Sequence, residues 1–272
     1  MKTALLISTY NWPEALRLVL ESAFSQTVLP DEIIIADDGS GSETRALIEE
    51  MTAKSPVPIK HVWHEDYGFR KTIIMNKAVA KAKGDYILQI DGDCIIPKHY
   101  IEDHLNVARN GYYVGGKRIK LTEEWTKKTF KDGKLYVPYF GTLLQPKGIK
   151  RFARLHRLPL LMKPYSYIRS KGKRPWGGII GASFSFWKED FIAVNGYNEE
   201  YIGWGHEDEE LVWRLHFYGI KKLSLHFGGF VYHLYHRERS SESPNFDFYE
   251  KKMREGIAQK KTWAENGIDK YL

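Results

Sequence analysis

Residues 3 to 9 (TALLIST) and 32 to 37 (EIIIAD) are short apolar runs separated by a helical pattern, Pro13 to Gln26, with Leu16, Val19, Leu20 and Phe24 on one face. This is a βαβ opening, which strongly limits the architectures available. A third run at 61 to 65 (HVWHE), a helix around 71 to 83 and a fourth run at 85 to 90 (DYILQI) continue the alternation. The expected class is α/β, a mainly parallel central sheet with helices on both faces. Asp37, Asp38, Asp91 and Asp93 fall just beyond the C-terminal ends of predicted strands, where open α/β sheets bind nucleotides.

At 272 residues with 43% hydrophobic content, the chain buries a core of ordinary size as one large domain or one domain with an insertion. Cys94 is the single cysteine, which excludes an internal disulfide framework and any zinc site of several thiolates. A reducing compartment, the cytoplasm, is therefore expected. The apolar stretch at residues 1 to 9 is too short for a secretory signal and reads as the first strand. No run approaches the roughly 20 apolar residues of a spanning helix.

The net charge of +7 is uneven. Between Asp132 and Glu189 there is no acid and twelve Lys or Arg, leaving 7 − 12 = −5 for the remainder. Such a basic stretch suits a phosphorylated acceptor, an anionic bilayer or nucleic acid. From about Lys117 to Pro175 the alternation fails and basic and aromatic residues mix with glycines and prolines, as in an insertion. Within it, Ile149, Phe152, Leu155 and Leu158 interleave with Arg151, Arg154 and Arg157, compatible with a short basic amphipathic helix before Pro159. Residues 245 to 272 read as a closing helix.

Three clusters carry the chemistry. In IDGDC, Asp91 and Asp93 sit one residue apart at a strand end and offer hard oxygen ligands to a divalent cation. In GWGHEDEEL, glycines and acids open a helix: Glu207 and Asp208 suit its N-terminus, and Trp204 offers a flat surface for a sugar ring. In VYHLYHRER, His233 and His236 are spaced to reach one ion that Asp93 also binds, a mixed shell that Mn²⁺ accepts. Together they point to metal-assisted transfer from a nucleotide-activated donor, with a carboxylate abstracting the acceptor proton.

These residues resemble inverting nucleotide-sugar glycosyltransferases of the GT-A fold. Residues 3 to 116 resemble family 2; residues 176 to 246 resemble the β-1,4-galactosyltransferase and bacterial chondroitin polymerase type. The opening ISTYNWPEALRLVLESAFSQT with PDEIIIADDGS looks like the family-2 start, which implies that Thr9, Tyr10 and Asp38 line the uridine. FRKTIIMN, residues 69 to 76, is similar to the segment before the metal strand and implies substrate contacts from Arg70 and Asn76. The strongest match, WGGIIGASFSFWKEDFIAVNGYNEEYIGWGHEDEEL, implies Asp208 as catalytic base and Glu207 as a sugar-hydroxyl ligand. Asp91 would contact ribose or the metal shell. His233, His236, Pro244 and Asn245 match the metal-ligand pattern, with His233 where vertebrate galactosyltransferases carry methionine and His206 in place of a glycine.

The resemblance implies residues 1–116 as a nucleotide-sugar-binding half, 117–175 as a basic and aromatic insertion, 176–246 as an acceptor-binding and catalytic half, and 247–272 as a C-terminal helical segment, in one compact domain. It implies transfer of a hexose or N-acetylhexosamine, galactose-type favoured, from a UDP-sugar with Mn²⁺ or Mg²⁺, forming a β-linkage. The expected acceptor is a glycan or lipid-linked hydroxyl, phosphorylated or not, with an anionic membrane surface as a further contact and no nucleic acid. A nucleotidyltransferase shares the metal strand but has no need of the Trp-Gly turn; a basic nucleic-acid or carbohydrate-binding protein leaves the acid clusters without a role.

Overall fold

The computed structural model describes residues 1–135, 157–170, 181–237 and 246–272. Strand β1 (Thr3–Thr9) leads through α1 (Pro13–Phe24) to β2 (Glu32–Asp37), then through α2 (Ser42–Lys54) to β3 (Ile59–Trp63), then through α3 (Lys71–Ala80) to β4 (Tyr86–Asp91). After β5 (Cys94–Ile95) come α4 (Tyr100–Val107), β6 (Tyr112–Gly115), β7 (Lys117–Lys120), α5 (Glu123–Asp132) and α6 (Pro159–Ser170). The rest comprises β8 (Ser183–Trp187), α7 (Lys188–Ala193), α8 (Glu207–Tyr218), β9 (Lys221–Ser224), β10 (Phe230–His233), α9 (Phe246–Ala258) and a short 3-10 turn (Ile268–Tyr271).

The large sheet runs β3-β2-β1-β4-β8-β6-β9. Strands β3 to β4 in that order are mutually parallel, and only β8 runs antiparallel to its neighbours β4 and β6. Alternation along β1 explains why its centre, Ala4 to Ile7, is apolar on consecutive residues. Leu5 and Ile7 pack with Leu16, Val19 and Leu20 of α1 and Ile48 of α2 on one face. Ala4 and Leu6 pack with Ile74 and Val79 of α3 and Leu211 and Leu215 of α8 on the other. Both faces are covered, as parallel sheets require.

A second sheet, β5-β10-β7, stands beside the first. Lys117–Lys120, read from sequence as the start of an insertion, is the parallel neighbour of β10 instead. Four residues are too few to show a period in the sequence. The amphipathic pattern at 149 to 158 falls mostly outside the described residues, as do Pro244 and Asn245. The closing segment is also not one helix. After α9 the backbone turns at Lys260 with φ 51, and Ile268 docks in the core against α3 while its N–H donates to Asn195 O at 3.0 Å.

Candidate active site

The C-terminal ends of β1 and β4 meet closely. Gly92 N–H donates to Ser8 O, and a Cβ at Gly92 would stand 2.8 Å from that oxygen, so glycine alone allows the approach. Asp91 is the last residue of β4. Its Oδ1 accepts from Ser8 Oγ at 2.8 Å and from Lys71 Nζ at 2.8 Å. Burial works against the Asp91 charge, but Lys71 and the Ser8 hydroxyl outweigh it and hold the carboxyl below its usual range. The Lys71 ammonium is held charged despite burial by Asp91, Asp208 and Glu207 together.

Strand pairing brings the histidines to Asp93. In the antiparallel β5–β10 pair His233 lies opposite Cys94, in the parallel β10–β7 pair it lies beside Lys120, and Leu234 N–H donates to Asp93 O at 2.9 Å. Asp93 Oδ2 is then 3.4 Å from His233 Nε2 and 3.3 Å from His236 Nε2. Helix α5 steadies the turn between them, with Tyr235 N–H donating to Thr126 Oγ1, and Trp12 packs edge-on against His236. His236 Nδ1 lies 2.8 Å from Arg237 O and donates to it, which leaves Nε2 as the nitrogen facing Asp93, the orientation that metal-bound imidazoles adopt. Burial keeps the His233 pKa below its ordinary value, which favours the neutral ring that a metal needs.

Two imidazole nitrogens and a carboxylate oxygen fit a divalent cation of the Mn²⁺ type. Cys94 Sγ lies within 4.8 Å of the ligand atoms of Asp93 and His233. Burial and the neighbouring acids Asp93 and Asp91 push its thiol well up, and a hard Mn²⁺-type cation prefers oxygen and nitrogen to sulfur, so Asp93, His233 and His236 are the candidate donors.

The acid turn lies across the same space. Helix α8 begins at Glu207 after His206, whose backbone is left-handed at φ 65, and four consecutive acids occupy its first turn, where the helix N-terminus favours negative charge. Asp208 Oδ2 accepts from Gly181 N–H at 3.0 Å, and Oδ1 accepts from Tyr197 OH at 3.0 Å. The Tyr197 hydroxyl is itself held by the buried amide of Gln89 on β4, and burial with Asp208 pushes its pKa well up, so it remains a donor. Glu207 Oε2 accepts from Gly205 N–H, and burial together with Asp208 raises its carboxyl to about 7.

One cleft of about 1000 Å³ joins these groups. Thr9, Tyr10, Asp38, Asp91, Asp93, Trp204, Glu207, Asp208, His233 and His236 all line it, as do Arg118, Lys120 and Arg237, a basic wall suited to phosphates. Asp38 accepts from Arg70 N–H at 2.9 Å and lies 2.7 Å from His64 Nε2. Trp204, 43% exposed, presents its indole at the rim.

Two residues expected at the site stand elsewhere. Asn76 is fully buried away from the cleft lining: its amide donates to Tyr197 O and Glu199 Oε1 and accepts from Tyr197 N–H, tying α3 to the chain before α8. Arg70 meets the site through its backbone N–H, and its side chain is not part of the cleft lining. Conversely, Ser8, Lys71, Gly181, Tyr197, Arg118 and Lys120 were not legible as site residues. Lys71 had a signal in its position beside Arg70, within the segment similar to the one before the metal strand.

A mainly parallel α/β sheet with acids, imidazoles and cations gathered at its strand ends is the GT-A arrangement, and solved structures agree. S. aureus TarS 1-349 in complex with UDP has a TM-score of 0.60 at 18% identity, covering 100% of this chain and 68% of that one. The mannosyltransferase PcManGT from Pyrobaculum calidifontis, in complex with GDP-Man and Mn²⁺, has a TM-score of 0.59 at 14% identity, covering 95% and 62%.

Residues 4–193 match the model of glycosyl transferase family 2, and the chain belongs to that family. Residues 165–237 match a second model, described as the N-terminal domain of galactosyltransferase. Among curated relatives, chondroitin synthase of Escherichia coli is 25% identical over 248 residues, 85% of this chain and 34% of the relative. Validoxylamine A glucosyltransferase of Streptomyces hygroscopicus subsp. limoneus is 25% identical over 234 residues, 80% and 48%. The chain thus spans between a third and a half of these relatives' length.

Proposed function

We propose that this chain transfers a hexose or N-acetylhexosamine, galactose-type favoured, from a UDP-sugar to a hydroxyl of a glycan or lipid-linked acceptor with inversion, forming a β-linkage in cell-surface glycan synthesis on the cytoplasmic side. One observation carries this: Asp93, His233 and His236 line the same cleft as Asp208. The galactosyltransferase-type match over residues 165–237 and the UDP complex of TarS support the donor class. Residues 1–116 serve the donor and 176–246 the acceptor.

In this reaction Asp208 takes the acceptor O–H proton while the acceptor oxygen bonds to the anomeric carbon and the bond from that carbon to the diphosphate oxygen breaks, UDP leaving with the electron pair. Tyr197 OH and Gly181 N–H hold the carboxylate so that its base oxygen keeps one orientation. Asp93, His233 and His236 would hold Mn²⁺ or Mg²⁺, which neutralises charge on the departing diphosphate. Arg118, Lys120 and Arg237 add positive charge along the same wall. Asp38 and Tyr10 receive the uridine, Asp91 the ribose or the metal shell, and Glu207 and Trp204 the sugar and acceptor.

The test is UDP release from a panel of UDP-hexoses and UDP-N-acetylhexosamines with Mn²⁺ and a β-glycoside acceptor, with the product anomer read by proton NMR. Metal-dependent UDP release giving a β-anomer is expected. Pyrophosphate release, or an α-anomer, contradicts the proposal.

A further inference from the structure

Helix α6 lies on β9, the edge strand of the large sheet. Its inner side is fixed: Met162 and Ser166 are fully buried, Ser166 Oγ accepts from His226 N–H at 3.0 Å, and Ser170 Oγ accepts from Ser224 N–H at 2.9 Å. Its outer side is apolar. Leu160 is 92% exposed, Ile168 67% and Leu161 51%. Positions 160, 164 and 168 repeat every four residues and 161 lies beside them, so Leu160, Leu161, Pro164 and Ile168 form one stripe, with Tyr165 at its border packing its ring on His226 and Phe227. Exposed leucines scattered singly need no explanation, but a stripe on one helix face marks a contact surface.

We infer that α6 is a bilayer-docking helix that lays Leu160, Leu161 and Ile168 into a membrane surface containing anionic lipid. Charge selects this occupant. The helix sits, in sequence, in the acid-free interval between Asp132 and Glu189 with its twelve cations, and Lys163 is exposed on the helix itself. Docking a second copy through this face would bring two such basic segments together, which like charge opposes, whereas anionic head groups attract them. Twelve residues are too few to cross a membrane, so the helix lies in the interface plane. This goes beyond the transfer reaction proposed above and stands without it.

The experiment is flotation of the full chain with phosphatidylcholine vesicles, with and without phosphatidylglycerol. Wild type is expected to float with the anionic vesicles and to be released by high salt, and Leu160→Glu/Ile168→Glu to reduce the floated fraction by about tenfold or more. Both side chains are exposed, so the thermal melt of the variant should match wild type. Should it not, Leu160→Cys supplies the second measurement: because Cys94 is buried, an environment-sensitive fluorophore labels position 160 alone, and its emission should shift to the blue on adding anionic vesicles. Absent flotation, flotation undiminished in the double variant, or unshifted emission overturns the inference. So does a concentration-dependent dimer, lost in the double variant, in a protein that binds no vesicles; that result assigns the face to a second copy.

Discussion

Gly181 N–H donates to Asp208 Oδ2 at 3.0 Å, and the residue at 181 has to be glycine for the carboxylate to stand there. A Cβ at that position would meet Asp208 Cγ at 2.6 Å and its oxygens closer still. Gly181→Ala should therefore displace the carboxylate without touching the residues that bind UDP. Turnover is expected to fall about a hundredfold or more, since misplacement of a base by around 1 Å costs that much, while UDP affinity in a calorimetric titration stays at the wild-type value. Unchanged turnover would mean that Asp208 does not need this position.

Asn76 makes three hydrogen bonds to Tyr197 and Glu199 in full burial, so its role is to join α3 to the segment leading into α8. Asn76→Ala should cost roughly 2–4 kcal/mol in urea unfolding by leaving buried backbone and carboxylate groups unpaired, with the KM for donor unchanged. A raised KM with unaltered stability would return Asn76 to the substrate.

Glu207 titrates at about 7 in the folded protein against an ordinary 4.5, raised by burial and by Asp208. Between those values the folded state keeps a proton that the unfolded chain has released, so this group makes stability fall as pH rises through that window. At full ionisation the loss is on the order of 3 kcal/mol. Glu207→Gln removes it. The melting temperature of the variant relative to wild type, in EDTA without donor, should rise from pH 5 to pH 8; a difference that stays flat or falls would contradict a buried, proton-holding Glu207.

How far the sequence discloses this molecule depends on the range of the interactions. Strands β1, β2 and β4 were legible because burial on both faces makes their centres runs of consecutive apolar residues, and the acids at their ends follow from position alone. Asp93 with His233 was legible as chemistry but not as geometry, since the β5–β10–β7 pairing that brings them together uses strands of two to four residues. Lys71 and Tyr197 were missed because their partners, Asp91 and Asp208, stand 20 and 11 residues away on other elements, where no helix or strand period marks the pairing. Asn76 was misplaced for a related reason: a polar residue near a site motif looks functional until its backbone partners, 121 residues away, are known.

The shared cleft is tested most directly by measuring UDP affinity with and without Mn²⁺, together with turnover, in Asp208→Asn and in His233→Ala/His236→Ala. Asp208→Asn should keep metal-dependent UDP affinity at the wild-type value and lose turnover by roughly a thousandfold. The double histidine variant should lose the effect of Mn²⁺ on UDP binding. Wild-type turnover in Asp208→Asn, or an undiminished Mn²⁺ effect in the histidine variant, would contradict a base and a metal site working in one cleft.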